Sequence, residues 1–463
     1  MLVTGGMVVD AAGTRLADVR LADGQVVEVG REGEHLDPAP GEEVHDASGK
    51  LVIPGGVDAH THLEMQVGQI RVSDDWSTGT RAAAIGGTTT VVDYVPVQRG
   101  EDPIAAARRW RAVAGAAAVD FGLHLTFPEP VDDAVVAGAV GEGITSFKVY
   151  MAYPERLAVD DGTVLRLMRA AAANGLVVNL HCENGGAIEE LRREALAAGA
   201  TDLGAHARTR PAVLEAEAVT RAAALAEVAG ASIFVVHLSS AAALTAVRAA
   251  RARGVDVMAE TCPQYLYLDD SRLGPGSPDA ADYVCSPPLR TPADREALFE
   301  ALAGGEIDTI GTDHCPFWSA DRRAGVNRRP EGCRDFTEVP GGLPGVETRL
   351  ALVYQAVLDG RLSLEQWVRT CCEAPARIFG MWPRKGALGV GADADLVVWD
   401  PERVQSLAAS ELHMATDHSP YHDMTVRGWP ELVVGRGRVV ARDGAFCGEE
   451  GAGRYLAREL PRR

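Results

Sequence analysis

From Leu51 onward the chain alternates apolar runs of strand length with long Ala-, Leu- and Arg-rich stretches of helical period. That alternation admits few folds, because strands separated by whole helices run parallel and are covered by those helices. The runs are 51–62 (LVIPGGVDAHTH), 88–94 (TTTVVDY), 120–127 (DFGLHLTF), 146–153 (SFKVYMAY), 177–184 (VVNLHCEN), 232–240 (SIFVVHLSS), 257–264 (VMAETCPQ) and 308–316 (DTIGTDHCP). Helical stretches such as 159–174, 186–199, 213–229 and 240–253 lie between them. Eight such units predict an α/β fold, a (βα)8 TIM barrel, over residues 53–380.

Residues 1–52 and 381–448 have a different rhythm. Short alternating segments such as Met7-Val8-Val9 and Gln25–Val29 in front, and Ala394–Trp399 and Pro430–Val434 behind, are separated by Gly, Asp and Pro. Neither set is large enough to hold a core alone, so the two are expected to pair into one small β-sandwich domain beside the barrel. Residues 449–463, with an Arg-rich ending, read as an extended tail available to a neighbouring subunit.

Charge narrows the function classes. Lys plus Arg is 45 against 65 Asp plus Glu, a formal net charge of −20, so the positive field that nucleic acid or anionic lipid requires is missing and neither is expected as a partner. The opening MLVTGGMVVD has no basic n-region and no run reaches about 18 apolar residues, so a cytoplasmic location without a membrane span is expected. Eight cysteines without a CxxC pair are expected to be reduced thiols. Of the basic residues only three are lysines, Lys50, Lys148 and Lys385.

The C-terminal ends of barrel strands build the active site in this fold. On the first run Asp58, His60 and His62 share parity and are expected on one face, where two imidazoles can hold one metal ion. His181 ends the run from Val177, His237 closes the run from Ile233, and Asp313 ends the eighth. Histidine and carboxylate ligands converging on one pocket, with no thiolate pair, suit Zn²⁺ in a catalytic site. Cys182 and Cys315 alternate away from their pocket neighbours and read as packing residues. Lys148 sits inside an apolar strand of a chain that uses arginine almost everywhere else. Such a position calls for a primary amine, which loses its proton when buried and reacts with CO₂ to give a carbamate able to bridge two metals.

Several ordered motifs then carry a resemblance: Gly55-Gly56-Val57-Asp58-Ala59-His60-Thr61-His62, Ser146-Phe147-Lys148-Val149-Tyr150-Met151-Ala152-Tyr153, His181-Cys182-Glu183-Asn184, Val236-His237-Leu238-Ser239-Ser240, Glu260-Thr261-Cys262-Pro263-Gln264-Tyr265, Ser286-Pro287-Pro288-Leu289-Arg290 and Asp313-His314-Cys315-Pro316-Phe317. With Pro344–Glu347 and Gly391–Asp395 they resemble the cyclic amidohydrolases, in the hydantoinase and dihydropyrimidinase branch, along nearly the entire chain. The resemblance implies a hydrolase of cyclic amides with two Zn²⁺ ions bridged by a carboxylated lysine and a hydroxide. It implies His60, His62 and Asp313 on the more buried metal, His181 and His237 on the second, and carboxylated Lys148 between them. It gives Asp313 the proton transfer to the leaving nitrogen, Tyr153 a hydrogen bond to the carbonyl oxygen as it becomes anionic, and Ser286 a main-chain hold on the ring amide. Leu63, Met65 and Val67 would line the substituent pocket with Tyr153, Gly341 would add main-chain contacts, and the products would be N-carbamoyl amino acids. A homo-oligomer, tetramer or dimer, is implied as well.

Dihydroorotase-like and allantoinase-like relatives carry a basic residue shortly after their HxH, whereas this chain has His62-Leu63-Glu64-Met65. An acid there disfavours an anionic substrate such as the carboxylate-bearing ring that dihydroorotases grip, and favours a small uncharged cyclic diamide, a 5-substituted hydantoin or a 5,6-dihydropyrimidine. Two positions depart from the family pattern: Gln66-Val67-Gly68-Gln69 stands where relatives often have Pro and a roofing aromatic, and Gly341 where they usually have Asn. Some relatives of this branch have lost metal ligands and act as non-catalytic binding proteins, but all six residues of the implied metal site are present here.

Overall fold

The computed structural model describes residues 1–460 except 131, 155, 275, 276 and 278. Eight parallel strands, β1 (Gly56–Thr61), β2 (Thr88–Val95), β3 (Asp120–Thr126), β4 (Ser146–Tyr150), β5 (Val177–His181), β6 (Ser232–Val235), β7 (Val257–Thr261) and β8 (Thr309–Ile310), pair each with the next. β2 to β5 are buried at every position, as strands covered on both faces are. The helices Asp161–Ala173, Gly185–Ala197 and Ala241–Ala252 start where the side chains of Asp160, Asn184 and Ser240 accept a first-turn N–H. Ala212–Ala229 starts behind Pro211 and stops at Gly230 in the left-handed conformation.

β8 does not form a ladder with β1. The seam is a parallel bridge between Thr61 and His314, with His62 N donating to His314 O at 3.0 Å. Asp58 reinforces it: Oδ2 accepts from the Thr312 hydroxyl at 2.6 Å, and Oδ1 accepts from the main-chain N–H of Thr312 and of His60, each at 3.2 Å.

The chain ends interleave in a seven-stranded sheet, in the order Ala445–Phe446, Arg438–Arg442, Thr425–Gly435, Leu396–Ser406, Leu51–Pro54, Met7–Asp10, Gly13–Leu16. A four-stranded sheet, Gln25–Val29, Val19–Ala22, Leu2–Thr4 and Val44–Asp46, packs on it through Val8, Val19, Leu21, Val52, Leu396 and Leu432. The run read as one strand over 51–62 is therefore two. Leu51–Pro54 pairs with Leu396–Trp399 and with Met7–Val8, and β1 begins beyond Gly55, where a Cβ would lie 2.1 Å from Thr89 Oγ1.

The tail runs along its own barrel. Phe121 N donates to Arg454 O at 3.0 Å, Leu456 N to Phe121 O at 2.7 Å, Arg458 N to Gly143 O at 2.9 Å and Glu459 N to Gly380 O at 3.0 Å. The tail's main chain is thus paired along its own barrel from Arg454 to Glu459, and its Arg-rich ending, 461–463, lies outside the described residues. Leu456 and Phe379 join Val57, Val92, Val177, Phe234 and Met258 in one apolar cluster that fills the barrel floor. No described helix is long and apolar enough to cross a membrane.

Phe379 is fully buried, with ring contacts to Phe234 at 5.1 Å and His124 at 4.8 Å. Phe379→Ala should therefore cost about 3–5 kcal/mol, seen as a lower midpoint of thermal unfolding. An unchanged midpoint would show that the floor cluster does not hold the barrel.

Candidate active site

His60 and His62 leave the end of β1 with both Nε2 atoms 3.1 Å from one oxygen, Oδ1 of Asp313. Donor atoms of the three residues lie within 4.8 Å of one another, a spacing one metal ion can fill. His181 ends β5 and His237 follows β6, with His181 Nδ1 and His237 Nε2 2.9 Å apart. The His60 and His237 ring centroids are 5.4 Å apart, so the two groups abut. Lys148 of β4 is 1% exposed, its Nζ 4.6 Å from the Tyr94 ring centroid and 5.1 Å from that of Tyr150. Tyr94 in turn has its ring 5.1 Å from that of His62, and Tyr150 has its ring 5.6 Å from that of His181, so the amine sits beside both groups.

Asp58 does not join them. Between the pairs Asp58–Val91 and Thr61–Asp93 the register slips, so strict alternation does not run from Asp58 to His62. The Asp58 carboxylate is committed to Thr312, with Arg349 Nε 3.9 Å away. Three site positions have left-handed backbone, Tyr153 (φ 64°), His237 (φ 40°) and Asp313 (φ 53°). Non-glycine residues are held there at a cost, and each such bend takes a side chain out of the alternation of its strand.

Burial penalises the imidazolium form, pushing His62 down to about 4 and lowering His181 and His237 as well. These rings are neutral and keep a lone pair. Burial acts on His60 too, but the Glu260 and Asp313 carboxylates outweigh it and bring the ring up to about 9. On Asp313, burial is overcome by His60 and His62, which hold the carboxyl well below its usual range. Burial lowers the Lys148 amine to about 8 against the pull of Asp313 and Glu260, so free amine is accessible near neutral pH.

The residues fit a bound divalent cation. Buried His60 Nε2 lies 3.1 Å from Asp313 Oδ1 without forming a hydrogen bond, an arrangement that costs about 1–3 kcal/mol unless something satisfies it. The donors are nitrogen and carboxylate oxygen, while the nearby Cys182 and Cys315 are buried thiols whose pKa values burial raises.

Two residues inside the quoted motifs had no role assigned to them and prove central to the site. Glu260, at the end of β7, accepts from His60 Nδ1 at 2.5 Å and from His237 N at 3.2 Å. Glu183 accepts from His181 Nε2 at 2.7 Å. An acid closing an apolar strand run was the available signal for Glu260.

The predicted substrate residues divide. Tyr153 is half-buried with its ring 5.4 Å from that of His181; burial raises its hydroxyl pKa, and Arg210 and a hydrogen bond with Ser286 oppose the rise. Gly341 adjoins Ser286, since a Cβ there would lie 3.6 Å from Ser286 Oγ. The glycine that the loop demands is the next one: Gly342 has φ 152°, and a Cβ on it would meet Cys315 O at 2.4 Å. Met65 and Val67 pack with Ile70, Val72, Cys315 and Phe317, whereas Leu63 is buried in the main core near Gly79 and Trp76. The Gln66–Gln69 departure is a hairpin, Gln66–Val67 against Ile70–Arg71, turning at Gly68 and tied by Gln69 N to Val326 O at 2.7 Å.

The model of the Amidohydrolase family matches residues 51–440, and the chain belongs to that family. The D-hydantoinase of Streptomyces coelicolor is 42% identical over 461 residues, 99% of this chain and 97% of that one. The structure of D-hydantoinase from a Bacillus sp. AR9 has a TM-score of 0.94 at 41% identity, covering 100% of both chains. That of dihydropyrimidinase from Brevibacillus agri NCHU1002 gives 0.94 at 40%, covering 100% and 99%. Within the family the chain stands in the hydantoinase and dihydropyrimidinase branch, hydrolases acting on carbon–nitrogen bonds in cyclic amides.

Proposed function

We propose that the protein opens the ring of 5-substituted hydantoins or 5,6-dihydropyrimidines, giving N-carbamoyl amino acids, with two Zn²⁺ bridged by N6-carboxylated Lys148. The observation that carries this reading is the convergence of His60, His62 and Asp313 beside the His181–His237 pair, with a buried lysine of lowered pKa against the Tyr94 and Tyr150 rings that adjoin both groups. In it, the catalytic barrel is residues 55–380 rather than 53–380, because Ile53 and Pro54 pair in the seven-stranded sheet, and 1–54 with 381–448 form its supporting sandwich. Zn²⁺ held by these residues would supply Lewis acidity toward the carbonyl and hydroxide near neutral pH.

The remaining work falls to side chains. Asp313 receives the proton of the nucleophile and passes it to the ring nitrogen, which leaves poorly as an amide anion. Tyr153 donates its hydroxyl hydrogen to the carbonyl oxygen as charge develops there. The Ser286 main chain holds the ring amide with Gly341 alongside, and Met65 and Val67 flank the substituent. Leu63 supports that loop from below, its N–H donating to Asp93 Oδ2 at 2.8 Å. An uncharged substrate suits the pairing of three nearby cations: Arg71 is held by Glu64, Arg210 by Glu183 and Arg290 by Glu215.

A hydrolysis panel tests the substrate class. Dihydrouracil, hydantoin or 5-phenylhydantoin should be opened far faster than dihydroorotate or allantoin, and a preference for dihydroorotate would exclude the uncharged diamide. Lys148→Arg keeps positive charge but cannot form a carbamate, so zinc content and activity should both collapse; two zincs per chain in that variant would overturn the bridging role. Tyr153→Phe should lower kcat by about 10²–10³, the usual cost of one oxyanion donor, and an unchanged kcat would remove Tyr153 from the chemistry.

A further inference from the structure

Arg210 lies between the short helix Gly204–Arg208 and the helix Ala212–Ala229, its side chain 6% exposed. Its Nη1 donates to Glu183 Oε2 at 2.7 Å, and the same oxygen accepts from His181 Nε2 at 2.7 Å. The other oxygen, Oε1, is buried without a partner, so these two donors alone orient the carboxylate. With its proton held on Nε2, His181 turns the lone pair of Nδ1 toward His237. The Arg210 Cζ is also 5.5 Å from the Tyr153 ring centroid, and that ring is 5.4 Å from the ring of His181. His181, Glu183, Arg210 and Tyr153 thus close a circle of contacts.

We propose that Arg210 is a positioning residue that sets the His181 ring through Glu183 and the Tyr153 ring through its own guanidinium face. A planar guanidinium can give an edge to a carboxylate and a face to an aromatic ring at once; an ammonium cannot. The main chain of Arg210 is fixed as well, because Arg290 donates to Arg210 O while Arg290 Nη2 holds Glu215 Oε2 at 3.1 Å and Glu215 takes the N–H of Ser239 at 2.8 Å. A metal ligand and an oxyanion donor are therefore placed by one side chain outside the reacting atoms. The inference rests on the roles proposed above for His181 and Tyr153.

Two sets of variants test the two arms. Arg210→Lys keeps a charge for Glu183 but loses the flat face, so zinc should be retained and KM unchanged while kcat falls about two- to fivefold. In a Tyr153→Phe background the same change should cost less than about twofold, since coupled residues are not additive. An equal cost in both backgrounds overturns the link to Tyr153. Glu183→Leu should weaken one zinc equivalent by about 10–100-fold in chelator competition on the purified protein, the usual effect of losing a carboxylate behind a histidine ligand. Glu183→Gln keeps an oxygen where Oε2 stands and should fold even if the leucine variant does not, with a smaller loss of the same equivalent. Wild-type zinc affinity in either Glu183 variant overturns the link to His181. A wild-type protein that takes up no zinc contradicts the proposed function itself, a result visible before any variant is made.

Discussion

β8 lends two residues to the barrel sheet, and the barrel is closed by one main-chain bridge, His62 N to His314 O, and one buried carboxylate beside it. By taking the hydroxyl and N–H of Thr312 together with the N–H of His60, Asp58 ties the residue before Asp313 to the strand that bears His60 and His62. The meeting of these three donors is thereby set by a side chain rather than by a ladder. His314, next in the chain, is clamped by Asp74 Oδ2 at 3.0 Å and accepts the Gly345 N–H at 3.1 Å, so the bend at Asp313 is held from both sides. With Arg349 Nε 3.9 Å away, the Asp58 charge is compensated in the interior, where an uncompensated one would be expensive.

The two fully buried lysines show how surroundings divide one residue type into two roles. Lys385 meets Asp120 at 2.6 Å, Asp395 at 2.7 Å and Asp393 at 2.9 Å, and these carboxylates outweigh burial and raise its pKa. It is a permanent cation joining β3 to the segment that leads into the sandwich. Lys148 faces the rings of Tyr94 and Tyr150 instead, and burial takes its amine down to about 8. Aromatic faces tolerate the ammonium without compensating it as carboxylates do.

Most of the barrel was legible, because a strand covered on both faces has no choice but a continuous apolar run, and His60, His62, His181, His237 and Asp313 interrupt or end such runs. Lys148 was legible only because arginine dominates the remaining basic positions. What could not be read was anything set by departure from ideal alternation. The register slip between Asp58 and Thr61 removes Asp58 from the face of His60 and His62. The split at Gly55 depends on which sheet Leu51–Pro54 finds a partner in, a contact some 340 residues away in sequence. Leu63 and Met65 part company because the chain bends at Glu64 (φ 58°). Arg210 belongs to no strand end, and only the fold brings it to Glu183.

The interleaving of the chain ends also carries a schedule. Leu51–Pro54 sits between Met7–Asp10 and Leu396–Ser406, so the seven-stranded sheet cannot be completed until nearly the whole polypeptide has left the ribosome. At about 5–20 residues per second, the interval between emergence of these partners is on the order of 20–70 s. For that time the nascent chain presents an unpaired apolar strand edge immediately ahead of the strand that bears the first two histidines. Dependence on a chaperone during synthesis would follow from the order of strands in one sheet, independently of how stable the finished protein is.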